Sequence, residues 1–173
     1  MNRPGYFLIC CILVVAQVLL NNFFNFSQFL VLCYLPAMIL FLPVTKGTIF
    51  STVMAFIIGF AVDFFSDGQL GLTTAALVPI GMARVGIVRL VFGQEVFARA
   101  ENISLARQGS GKVLLGIIFA TAAYLVIYLW LDGAGTRPFW FNLVKFVLSL
   151  LLSTTVSFFI TGLLTYEERG RWR

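Results

Sequence analysis

The chain alternates long apolar stretches with short polar breaks. Six hydrophobic runs stand out, at roughly 5–20, 28–44, 47–65, 70–92, 113–131 and 139–164. Crossing the hydrocarbon core of a bilayer takes about 20 helical residues at about 1.5 Å each, with about 17–25 the usual range. The third to sixth runs meet that length, whereas the first two are short. Two arrangements of the first pair stay open: two full spans, or a re-entrant pair ahead of four long spans. Barrel strands would need short segments of alternating polarity, and none is found, so the pattern predicts helices. Between the first two runs, "NNFFNFSQ" brings Phe rings rather than charge, which suits a membrane interface.

Composition turns this pattern into a class. Of 173 residues, 60% are hydrophobic and 11% charged, with a mean hydropathy of +0.98. A soluble domain carries about 25% charged residues. So few charges cannot coat a water-facing surface. The expectation is an all-α polytopic integral membrane protein, with residues 1–173 forming a single transmembrane domain built as a six-helix bundle. Arg3 precedes the first run as in a signal peptide, but no A-x-A-like cleavage site follows, so a retained first helix is expected.

Charge placement orients the bundle. With six spans, one side receives Arg3, Lys46, Arg99, Arg107, Lys112, Arg169, Arg171 and Arg173, while the other receives only Arg137. Basic residues collect on the cytoplasmic side, so both termini are expected there. The net charge of +5 is then a basic face on anionic headgroups, with no nucleic acid implied.

Reactive chemistry is sparse. The chain has no His, which removes the commonest general base and metal ligand. Cys10, Cys11 and Cys33 lie in apolar runs without metal-ligand spacing and read as buried small residues. "RQGSGK" at 107–112 lacks the spacing of a phosphate-binding loop. Neither enzyme activity nor a cofactor or metal is expected.

Ionisable groups inside spans are then the sharpest signals. They are Asp63, Arg84, Arg89 and Lys145. Arg89 lies near a span end and reads as an interfacial anchor. Arg84 sits five residues deeper, and either points towards other helices or a partner, or snorkels. Asp63 has two readings: its carboxylate satisfies turn donors at 66–69, or it pairs with Lys145. Lys145 either takes that pair or reaches the outer headgroups. Gly59, Gly71, Gly81, Gly86 and Gly116 predict close helix approach. Pro36, Pro43 and Pro79 predict kinks or ends in the second and fourth spans. "GQEVFARAENISLARQGSGK" fits a short amphipathic surface helix or a polar loop.

The stretch "GFAVDFFSDGQLG" places Gly59, Asp63, Ser66, Gly68, Leu70 and Gly71 in the order Gly-x3-Asp-x2-Ser-x-Gly-x-Leu-Gly. It resembles the third-span motif of the rod shape-determining protein MreD family, small bacterial inner-membrane proteins. The length, the six spans and the cytoplasmic termini agree in outline. Asp67 departs from the pattern by intervening between Ser66 and Gly68. The resemblance implies a non-catalytic scaffold of the cell-wall elongation complex, or elongasome, which docks a bitopic MreC-like protein. Further implied partners are a RodA-like glycosyltransferase and a class B penicillin-binding transpeptidase. The implied fold looks like the six-helix substrate-binding component of energy-coupling-factor transporters. Gly59, Asp63, Ser66, Gly68, Gly71, Arg84, Gly86 and Lys145 are the candidate structural or partner-binding residues.

Two other functions compete. A substrate-binding subunit of a vitamin transporter would bring polar and aromatic residues together in the outer halves of the later spans. Tyr124, Tyr128, Trp130, Trp140, Asn142 and Lys145 are the candidates. Against it, the first run lacks a stripe of small residues, with Ala16 alone among bulky neighbours. A small channel or exporter would need a polar helix face, and none is apparent among the runs.

Overall fold

A computed structural model describes residues 4–23, 30–42, 47–66, 70–93, 109–133 and 138–169. Six helices follow in order: α1 (Pro4–Phe23), α2 (Leu35–Leu40), α3 (Thr48–Phe65), α4 (Leu72–Phe92), α5 (Ser110–Gly133) and α6 (Phe139–Arg169). Among the described residues the regular structure is helical throughout, with no strand. Helices α3 to α6 are long and apolar enough to cross a membrane, as their runs predict. Exposed Phe, Leu, Ile and Val side chains cover their outer faces, the expected surface of a membrane bundle.

The second run departs from expectation. Only Leu35–Leu40 is helical, and residues 30–34 lead into it without regular structure. Pro36 explains the break. It lacks an N–H, and its ring disfavours helical geometry in the residue before it. A helix begins here at little cost, whereas continuing one from upstream would forfeit a backbone bond, as Pro79 does inside α4.

The direction of this segment follows from its contacts. Asn21 and Asn22, near the end of α1, donate to Ser66 Oγ and the Phe65 carbonyl at the end of α3. Helices α1 and α3 therefore point the same way, and the chain must return between them. Val31 bonds Ser149 and Cys33 bonds Ser153, so the segment advances along α6 in the same direction. Leu40 ends beside Gly116 and Phe92, near the start of α5 and the end of α4. The second run is thus not a continuous helix. It is a crossing, half irregular and half helical, on a path that reverses at every pass. Its helix, α2, is wholly buried and touches every other helix of the bundle.

Helices α3 and α4 form the tightest pair. A Cβ added at Gly59 would lie 2.8 Å from the Thr74 Cα, and one at Gly81 would lie 2.9 Å from both the Ala55 Cβ and the Ser51 carbonyl oxygen. These distances leave no room for a side chain, so the two glycines set the spacing of the helices. Gly116 plays a looser version of this role against Phe92 and Leu40. Gly86 does not: it is exposed, and a Cβ added there would meet nothing within 4 Å. Pro79 lies inside α4 without ending it.

Candidate functional site

The interior holds a seam of polar groups drawn from several helices. Asp63, buried in the last turns of α3, faces the start of α4. The backbone N–H groups of Thr73 and Thr74 donate to its Oδ1 and Oδ2 at 3.0 and 2.8 Å. The Thr74 hydroxyl adds a third bond at 2.6 Å. Gly71, at φ 91°, brings the chain into α4 through a left-handed residue and carries no side chain to cap it. Asp63 supplies the missing cap from the neighbouring helix, and a carboxylate suits a helix N-terminus. Its donors are thus in α4, beyond the turn at 66–69; residues 67–69, including Gly68, lie outside the described residues.

Lys145 has another partner. Its Nζ donates to Asp132 Oδ2 at 2.9 Å, joining the end of α5 to the start of α6. The Asp63–Lys145 pair is not formed. Asp132 opens the loop stretch "DGAGTRPFW" in sequence, yet α5 runs on through it and turns it inward. Lys145 is buried and does not reach outward to headgroups.

Arg84 is 2% exposed, so it faces other helices and does not snorkel. Its Nε donates to the Leu40 carbonyl at 3.2 Å, and its Nη2 donates to the Leu42 carbonyl. Those carbonyls end α2, where no further turn exists to satisfy them. A guanidinium there meets both the unpaired acceptors and the negative end of the helix. Arg89, by contrast, is exposed in the last turn of α4.

The irregular half of the second crossing is held by side chains. Ser149 Oγ accepts from the Val31 N–H at 2.8 Å. Ser153 Oγ accepts from the Cys33 N–H at 3.1 Å and donates to the Val31 carbonyl at 3.2 Å. Gln17 of α1 donates to the Leu32 carbonyl at 2.8 Å and accepts from the Tyr34 N–H at 3.4 Å. In a continuous helix the Leu32 carbonyl would take the N–H of residue 36, which is proline. Gln17 stands in for that missing donor. The Tyr34 hydroxyl donates to the Leu13 carbonyl at 2.6 Å. Irregular backbone survives inside a membrane bundle only when it is satisfied in this way.

Sequence reasoning missed this clamp. Ser149, Ser153, Ser157 and Thr161 recur every fourth residue and are all buried, so α6 does carry a polar face. The regular spacing was the available signal. Ser149 and Ser153 spend their hydroxyls on the second crossing, so this part of the face binds backbone and lines no pore.

Tyr124 is buried in α5, and its ring stacks on Tyr128 at 5.6 Å. Trp130 and Trp140 are 76% and 75% exposed, so the six candidate pocket residues of the later spans do not converge. Cys10 and Cys33 are buried as expected, but Cys11 is exposed. Among the described residues, no three of Cys, Asp and Glu gather as a metal site. The stretch 94–108, with its amphipathic alternatives, lies outside the described residues.

The charged groups of the seam bond backbone groups or one another, and so tie the helices together. No protein-family model, curated protein or solved structure matches the chain.

Proposed function

We propose that this protein is a non-catalytic, MreD-like scaffold subunit of the bacterial cell-wall elongation machinery. One observation carries the reading. The motif residues that are described build a single structural device: Gly59 seats α3 on α4, Asp63 caps α4, Ser66 ends α3 and receives α1, and Gly71 turns the chain. A motif devoted to helix docking suits a subunit that works by contact. Its bilayer-facing surface would take an MreC-like bitopic protein, and through it a RodA-like synthase and a class B transpeptidase. Residence in the inner membrane with both termini cytoplasmic belongs to the same proposal. It is checked by labelling single cysteines at Thr136 and Ser110, expected to react from opposite sides.

Depletion in a rod-shaped host tests the role. The expected outcome is rounding and swelling with small-molecule uptake intact; normal rods after clean depletion would refute the scaffold reading. The second reading, a vitamin-transporter subunit, is favoured by the partly buried Asp132–Lys145 pair, whose Asp132 is on the same helix, α5, as the Tyr124–Tyr128 stack. Retention of a vitamin-like ligand through purification would select it.

A further inference from the structure

We propose that one end of the bundle carries an aromatic belt, led by Trp130 and Trp140, that seats in phospholipid where headgroups meet acyl chains.

Exposure singles out the rings. Among the described residues, Phe23, Phe64, Phe65, Trp130, Phe139 and Trp140 are each more than 60% exposed. All six lie at one end of the bundle, where α1, α3 and α5 finish and α6 begins. Only one other described aromatic, Phe159, passes that exposure, and it lies twenty residues into α6. The Asn22 bond to the Phe65 carbonyl sets the ends of α1 and α3 side by side, and the Asp132–Lys145 bridge does the same for α5 and α6. Helix α4 packs between α3 and α5, so the rings fall on two flanks that no single partner helix would cover.

Residue type and depth agree with lipid. Tryptophan collects at the headgroup boundary because its ring is apolar while its N–H takes a polar partner. At 76% and 75% exposure, Trp130 and Trp140 leave their indoles open to that boundary. Lys112, exposed at the start of α5, lies eighteen residues before Trp130, about 27 Å along the helix. The hydrocarbon core is about 30 Å thick, so a basic and an aromatic marker stand at its two boundaries. Asp132 is two residues past Trp130, which puts its bridge to Lys145 inside the bundle at the depth of the belt. A charge there is less costly than at the membrane centre.

The test is depth-dependent quenching of tryptophan fluorescence, with the full chain in phosphatidylcholine vesicles. Trp172→Phe removes the third tryptophan of the chain, and adding Trp130→Phe or Trp140→Phe leaves one reporter. Phe64→Trp, in a chain without the native tryptophans, reports from the other flank. Nitroxide lipids labelled just below the headgroup should quench each reporter about twice as strongly as lipids labelled near the chain ends. Equal or stronger quenching from the chain ends overturns the proposal, because the rings then lie in the core. So does weak quenching from both depths: with blue emission a second copy covers the rings, and with red emission water does. A boundary position on one flank alone also overturns it, since a belt needs both. If a phenylalanine variant does not fold, Trp130→Tyr or Trp140→Tyr supplies the same comparison.

Discussion

The α3–α4 hairpin and the second crossing solve the same problem in opposite ways. Each buries polar groups in an apolar interior and must satisfy them without water. In the hairpin the partners are near in sequence: Asp63 reaches residues only 10 and 11 positions on. In the second crossing they are remote, from 15 positions for Gln17 to 122 for Ser153. A hairpin of this kind specifies itself, and two helices suffice to build it. The second crossing is specified by the rest of the bundle, since α1, α4 and α6 must all be in place before its backbone is satisfied.

Substitutions that separate helices should give the largest effects. In Gly59→Leu the new Cβ falls 2.8 Å from the Thr74 backbone, which cannot move aside as a side chain would. Overpacking costs about 1–3 kcal/mol in ordinary cores, and a backbone clash belongs at or above the top of that range. Gly59→Leu and Gly81→Leu are therefore expected to lose about 3 kcal/mol or more, read from unfolding in detergent. Gly86→Leu should stay within about 0.5 kcal/mol, because its position is open. If Gly86→Leu still disturbs cell shape or partner capture, the face of α4 that carries it is a docking face. Equal damage from all three would remove the distinction between the hairpin interface and the outer surface.

Next comes the far end of the second crossing. Arg84→Met leaves the Leu40 and Leu42 carbonyls buried without their donor. A buried group deprived of its partner costs about 1–3 kcal/mol, so a loss of about 3 kcal/mol is expected for the two. Arg84→Lys should recover only part of this, since an ammonium lacks the guanidinium fork that serves both carbonyls. Full recovery in the lysine variant would mean that charge alone matters at the end of α2.

The contrast between the two regions also governs what the sequence could tell. The hairpin was legible in part. Gly59 does mark a close approach, but a Cβ at Gly71 would meet nothing within 4 Å, and that glycine serves the turn instead. Asp63 bonds Thr73 and Thr74 rather than the turn at 66–69 or Lys145. The bundle architecture was legible because run length is a local property. The second run was not. Its apolar stretch has helical length, and nothing within it says that Gln17 and two serines replace its helical bonds. Lys145 points to Asp63 or the headgroups only as long as Asp132 counts as loop, whereas α5 continues past it. Arg84 left two orientations open because its acceptors exist only once α2 stops at Leu40.

Asp63 and Lys145 should now behave independently. Asp63→Asn keeps one acceptor but loses the charge at the start of α4, an expected cost of about 1 kcal/mol. Combined with Lys145→Met, the costs should add to within about 0.5 kcal/mol, as for distant sites. Lys145→Met and Asp132→Asn should instead be non-additive, since they remove the same bond. Coupling between Asp63 and Lys145 above that margin would mean that the two α-helical hairpins are electrostatically joined.

The smallest effects belong to the serine clamp, and their order is what tests it. A side-chain hydrogen bond between membrane helices contributes about 0.6 kcal/mol on average. Ser149 accepts one bond, from the Val31 N–H, whereas Ser153 accepts from Cys33 and donates to the Val31 carbonyl. Ser153→Ala should therefore cost more than Ser149→Ala, about 1 against about 0.6 kcal/mol. Thr155→Ala is the reference: Thr155 is exposed and bonds only the Leu151 carbonyl of its own helix, so its loss should be near zero. The double Ser149→Ala, Ser153→Ala variant should depart from additivity, because both residues hold Val31 and the first loss already loosens it. If the two serines matter no more than Thr155, the backbone of residues 30–34 is held by packing against α1 and α5, and the hydroxyl ladder does not set its path.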